Sequence, residues 1–130
     1  MIKNFNITKF THGITTCDNK GEECDALKRT VIRNNNFHEN QFGVFINFET
    51  EDDATTYDAS NNISKNTFTF NSATSLLTTR TRYTIIEDND LLVQGSAIGV
   101  ETVDSSDSTI RRNKITAIKP KQNSNSGIKI

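Results

Sequence analysis

The chain has 130 residues, with 15 Lys and Arg against 16 Asp and Glu, and a net charge of −1. That balance gives no electrostatic reason to expect nucleic acid, and no apolar run is long enough to span a membrane. A hydrophobic content of 33% is low for a globule, but it suits a solenoid, which buries only a thin inward stripe in each coil.

Short strand-turn-strand units follow one another along the chain. The first is Ile2, Phe5 and Ile7, with the small-plus-apolar pair Gly13–Ile14 behind it. After an insertion, CDNKGEECDA at 17–26, come Ile32, Asn35 and Phe37, then Gly43–Val44–Phe45–Ile46. A second insertion, ETEDDATTYDAS at 49–60, precedes Ile63, Asn66, Phe68 and the strand Ser75–Leu76–Leu77. The fourth unit is Ile86, Asn89 and Leu91 with Ala97–Ile98–Gly99–Val100. In the fifth, Ile110, Asn113 and Ile115, the segment KPKQNSNS at 119–126 delays the strand Gly127–Ile128–Lys129–Ile130. Successive repeat isoleucines lie 30, 31, 23 and 24 residues apart, a repeat of about 23 residues with two insertions.

Thr and Asn are the commonest residues and no segment carries a long apolar stripe at helical spacing, which excludes helical and leucine-rich arrays. Each unit reads as two or three short strands with Asn, Gly or Ser at the corners, so the expected fold is all-β: a parallel β-helix of about five coils. An Asn recurring at one corner tolerates left-handed backbone angles, and its amide both donates and accepts. Asn35, Asn66, Asn89 and Asn113 are therefore expected to form a ladder beside an inward column of Ile32, Ile63, Ile86 and Ile110. Phe37, Phe68, Leu91 and Ile115 form a second inward column. The same register puts Glu87 beside Arg111, and Asp88 between Lys65 and Arg112. Opposite charges on neighbouring rungs are tolerated, and the plain reading is a solvated structural face.

The copies IRNNNF, ISKNTF, IEDNDL and IRRNKI resemble the right-handed parallel β-helix repeats of the pectate-lyase-like superfamily, over nearly the whole chain. The resemblance implies a right-handed solenoid and leaves function open, since the superfamily includes polysaccharide lyases, epimerases, hydrolases, phage tailspikes and non-catalytic surface proteins. The lyase and epimerase signatures, an Asp-Pro-His or an Arg-His pair, are absent: the sole proline, Pro120, follows a lysine, and His12 and His38 have no Arg or Asp beside them.

Residues 1–130 read as a single domain. Solenoids end in capping elements with a polar outer face, and neither end of this sequence carries one. We therefore expect a segment of a longer β-helix, its ends covered by further coils or subunits. Insertions on a solenoid gather on one face, often the binding face. Stacked, they would bring Glu49, Glu51 and Asp53 near Arg80 and Arg82, with Glu101 and Asp104 beyond. No cofactor is called for, though such carboxylates could ligate Ca²⁺, and beside guanidiniums they could bind an acidic sugar. The alternative is an acidic solubilising loop satisfied by the arginines. Cys17 and Cys24 bracket a six-residue gap that a disulfide could close in an oxidising compartment; two free cysteines are the other reading. Two functions remain in view. One is a non-catalytic or glycan-binding module of an extracellular or virion surface protein, of tailspike or adhesin type, with a polysaccharide or cell-surface glycan as partner and no nucleic acid or membrane. The other is a lyase or uronate epimerase acting on an acidic polysaccharide.

Overall fold

The computed structural model describes residues 1–16, 29–47, 60–118 and 126–130. The first coil holds β1 (Ile2–Lys3), β2 (Asn6–Thr8) and β3 (His12–Thr15). The second holds β4 (Val31–Arg33), β5 (Asn36–His38) and β6 (Phe42–Asn47). The third holds β7 (Asn62–Ser64), β8 (Thr67–Thr69) and β9 (Thr74–Thr79). The fourth has β10 (Ile85–Glu87), β11 (Asp90–Gln94) and β12 (Ile98–Val103), and the fifth β13 (Thr109–Arg111), β14 (Lys114–Ile118) and β15 (Ser126–Lys129). Each coil gives one strand to each of three five-stranded sheets, ordered β1-β4-β7-β10-β13, β2-β5-β8-β11-β14 and β3-β6-β9-β12-β15. Every pairing is parallel. The molecule is a parallel β-helix, as its repeats predict.

The interior is made by stacking like on like. Ile2, Ile32, Ile63, Ile86 and Ile110 are register partners up the first sheet, and Ile7, Phe37, Phe68, Leu91 and Ile115 up the second. The central members, Ile32, Ile63, Ile86, Phe37, Phe68 and Leu91, are fully buried, and the Phe37 and Phe68 rings stack at 4.8 Å. The third sheet closes the core with Val44, Leu76 and Val100. Its inward neighbours are small because the aromatic column leaves no room: a Cβ on Gly13 would lie 2.9 Å from Phe37, and one on Gly43 2.7 Å from Phe68. In the fourth coil the small residue in this register is Gly99, not Ala97, since Ile98 pairs with Thr74 and Val100 with Leu76. β11 runs two residues longer than β8 and ends in a turn at Gly95, where φ is +67°, so the third-sheet strand starts later.

The corners supply the hydrogen bonds that hold coil to coil. The Asn66 backbone N–H and Nδ2 donate to Asn89 Oδ1 at 2.9 and 3.1 Å, and Nδ2 also donates to the Ile32 carbonyl at 2.9 Å. Asn35 makes the same bonds to Asn66, and Asn89 to Asn113. The left-handed residue at this corner is the one before the ladder Asn: Asn4, Asn34, Lys65, Asp88 and Arg112 all have φ between 51° and 63°. The ladder thus relies on the amide's donors and acceptor, and its neighbour makes the bend. A left-handed residue costs roughly 1 kcal/mol, offset here by a buried amide network repeated on each rung. A second ladder stands at the next corner, where the Asn40 backbone N–H donates to Asn71 Oδ1 at 3.0 Å and Asn40 Nδ2 to the Ile7 carbonyl at 3.0 Å. The first coil has Phe5 and Phe10 at these two positions, each giving only its backbone N–H to the ladder above, at 3.0 Å.

Candidate binding groove

The outer face of the third sheet differs from the other two because its long strands fold inward twice in succession. Gly43 and Val44 are both buried, which flips the alternation, so that Phe42, Phe45 and Asn47 are half-buried on the outside. Phe42 and Phe45 stack at 5.6 Å, and His12 lies against both, 5.1 Å from Phe42 and 5.4 Å from Phe45. The parallel register carries this surface up the solenoid: Phe45 pairs with Leu77 and Leu77 with Glu101, while Asn47 pairs with Thr79 and Thr79 with Val103. Phe45, Leu77 and Val103 form an apolar floor, and Asn47, Thr79, Arg80, Glu101 and Asp104 edge an open groove of about 400 Å³.

The charges around this floor are not equivalent. Glu101 is occupied at both oxygens: Lys129 Nζ donates to Oε1 at 2.6 Å, and the Thr74 hydroxyl donates to Oε2 at 3.4 Å. Arg80 and Asp104 project from left-handed turn residues on adjacent coils, with φ of 54° and 48°. Both are exposed, and neither has a side-chain partner among the described residues. Arg82, expected beside Arg80, faces elsewhere: its Nη2 lies 3.0 Å from Asp107 Oδ2 and its guanidinium 5.1 Å from the centre of the Tyr83 ring. Arg80, Glu101 and Asp104 therefore share one groove and Arg82 does not line it. Glu49, Glu51, Asp53, Cys17 and Cys24 lie outside the described residues. The apolar floor went unread in the sequence, although the alternation of FGVFIN, once phased by its inward Val44 and Ile46, places Phe45 outside.

The first sheet carries the ion pairs that the register predicts. Arg111 Nε donates to Glu87 Oε2 at 2.8 Å, and Arg112 Nε to Asp88 Oδ1 at 2.7 Å, with Arg112 Nη2 reaching Glu87 as well at 2.8 Å. The Arg111 hydrogen bond holds the Glu87 carboxyl below its ordinary 4.5, against an opposing effect of desolvation. Arg112 does the same for Asp88, and its own pKa rises in return. Carboxyls depressed in the folded state stabilise above their unfolded pKa and lose that contribution as pH falls through the folded value. We expect Arg112→Gln to lower the melting temperature at about pH 6 and to have no effect in strong acid, below both folded values. A difference that persisted undiminished in acid would mean that Arg112 acts through packing.

Among the described residues no group of three or more His, Cys, Asp or Glu is placed to hold a metal ion, and no helix is long and apolar enough to cross a membrane. The two histidines sit on different sheets, His12 against its phenylalanines and His38 between the Thr69 hydroxyl, 2.8 Å from Nδ1, and Glu39, 3.2 Å from Nε2. No curated protein and no solved structure matches the chain. A family model described as periplasmic copper-binding protein (NosD) matches residues 2–130, a span that takes in all fifteen described strands. The coil-by-coil repeat and the match along its whole length agree: the chain belongs to the NosD family.

Proposed function

We propose that this chain is a non-catalytic β-helix module of the cell envelope that binds a glycan in the groove of its third sheet. The observation that carries the reading is the pairing of an apolar floor, Phe45, Leu77 and Val103, with a guanidinium and a carboxylate that have no side-chain partner among the described residues. A pyranose has an apolar C–H face and a rim of hydroxyls that both donate and accept. The floor suits the first, and Asp104 with Arg80 suits the second, since a carboxylate accepts and a guanidinium donates. The family's description as periplasmic supports placement outside the cytoplasm. It also mentions copper, which the described residues do not fit. Copper sites are built from converging imidazole and sulfur donors, and here His12 and His38 stand on different sheets, each already engaged.

Calorimetric titration against a panel of neutral and acidic polysaccharides tests the reading. At least one should bind. Arg80→Asn and Asp104→Asn should each weaken binding by about tenfold, with the melting temperature unchanged within error because both side chains are exposed and Asn tolerates their positive φ. Retained affinity in both variants would remove the groove from consideration. Release of an unsaturated uronate product, followed by its ultraviolet absorbance, would replace the module by a lyase.

A further inference from the structure

The outer face of the first sheet carries more positive charge than its own ion pairs use. Among the described residues five cations stand on this face and its adjoining corner, Lys3, Arg33, Lys65, Arg111 and Arg112, against two carboxylates, Glu87 and Asp88. That is a surplus of three on a chain whose net charge is −1. Arg111 and Arg112 occupy both carboxylates. Lys65 lies close enough to Asp88 to feel its charge but forms no ion pair with it. Lys3, Arg33 and Lys65 have no side-chain partner among the described residues. Arg33 is half-buried, and its Nε is closed to solvent with no hydrogen-bond acceptor.

Two costs are built into this arrangement. Lys3 and Arg33 are direct register partners, so like charges sit on rungs about 4.8 Å apart and repel. A guanidinium N–H withdrawn from water without an acceptor forfeits its hydration. An oxyanion at the solvent-facing end of the Arg33 guanidinium relieves the first and pairs the charge that the second leaves poorly hydrated. The cations fall in two adjacent columns that run along the solenoid axis, Lys3 and Arg33 in one and Lys65 in the next. The other outer column of the same sheet, Val31, Asn62, Ile85 and Thr109, is uncharged. The charge is a line and not a field, which suits a linear polymer better than a flat membrane. A sulfate or phosphate monoester offers three free oxygens, two for the Arg33 guanidinium and one for a neighbouring lysine, where a carboxylate has only two.

We propose that the line Lys3, Arg33 and Lys65 is a second binding surface, separate from the groove, for a linear polyanion bearing sulfate or phosphate esters. Dextran sulfate and dextran phosphate, which carry monoesters, are the probes, with uncharged dextran as the blank. Both polyanions should bind at low salt and release as salt rises. The triple variant Lys3→Gln, Arg33→Gln, Lys65→Asn should lose at least about tenfold in affinity; Asn is used at residue 65 because its φ is 56°. Arg33→Lys, which keeps the charge and removes the two-pronged guanidinium end, should lose severalfold and serves on its own if the triple variant does not fold. Lys114→Gln, whose ammonium lies 3.6 Å from Asp90 on the next sheet, should bind as the unmodified protein does. The proposal is overturned if neither polyanion binds at low salt, or if the triple variant or Arg33→Lys binds like the unmodified protein. Tighter binding to phosphatidylglycerol vesicles than to either polymer would assign the surface to a membrane and also overturn it.

Discussion

Replacing Asn66 by alanine is expected to cost about 3 kcal/mol of folding free energy, among the largest effects available from a single polar side chain here. Asn66 is 1% exposed and sits in the middle of the ladder. Its Oδ1 accepts from both the backbone N–H and Nδ2 of Asn35, at 3.0 and 3.1 Å, and its Nδ2 donates to Asn89 Oδ1 and to the Ile32 carbonyl. Alanine would leave the Asn35 backbone N–H buried without its acceptor and remove a donor from two oxygens, with no route for water into a packed corner. The matched control is Asn36→Ala, one residue beyond the same corner in the coil below. Asn36 is exposed, and its side chain makes a single bond to Asn6 at 3.0 Å, so its loss should cost less than about 0.5 kcal/mol. Urea midpoints compared at a common m-value would show the contrast. If the two variants unfold at the same midpoint, the ladder is not what holds the coils in register.

Gly43→Ala is expected to be comparably damaging, about 3 kcal/mol, through overpacking rather than a lost bond. The added methyl would meet the Ser75 carbonyl oxygen of the next coil, and two carbons of the Phe68 ring at 2.7 and 2.9 Å. The carbonyl belongs to a strand ladder and cannot move far. The ring can be shortened. One coil up, the residue in the Gly43 register is Ser75, and the counterpart of Phe68 there is Leu91, so this solenoid already accepts a Cβ where the facing side chain is Leu. Combining Gly43→Ala with Phe68→Leu should therefore cost less than the two changes added separately, by about 1 kcal/mol. The recovery stays partial because the backbone contact persists. Strict additivity in the double-mutant cycle would show that the carbonyl alone decides the cost, and that the pairing of small residue with aromatic is incidental.

The inward columns and the first ladder were legible because a parallel β-helix repeats its environment every coil. A position that needs Ile or Asn once needs it again on each rung, and the period becomes visible in one sequence. Ion pairing between Glu87 and Arg111, and between Asp88 and Arg112, followed from the same register. Legibility stopped where the period breaks. The longer β11 shifted the fourth coil, so Ala97 looked like the small residue that Gly99 is. Among the described residues the second ladder has Asn40 and Asn71 as its Asn members, too few to stand out in so Asn-rich a chain. Arg80 and Arg82 are two residues apart and looked like one feature, yet the corner at Thr81 separates them: its backbone N–H bonds to Ser105 at 3.3 Å, and Arg82 passes to Asp107.

Repetition of residue types at a constant interval was enough to determine, without coordinates, that this chain winds into stacked parallel coils, which side chains point inward, and which charges meet. Those are nearest-neighbour properties along the stack, and a sequence states them directly. The groove and the unpaired line of cations were decided only by the tertiary structure. They depend on how two consecutive inward residues rephase β6, on which carboxylates Arg111, Arg112 and Lys129 occupy, and on which charges are then left over. An unpaired charge is defined by what surrounds it from other coils, and side-chain reach across several rungs is a distance that no spacing in the sequence contains.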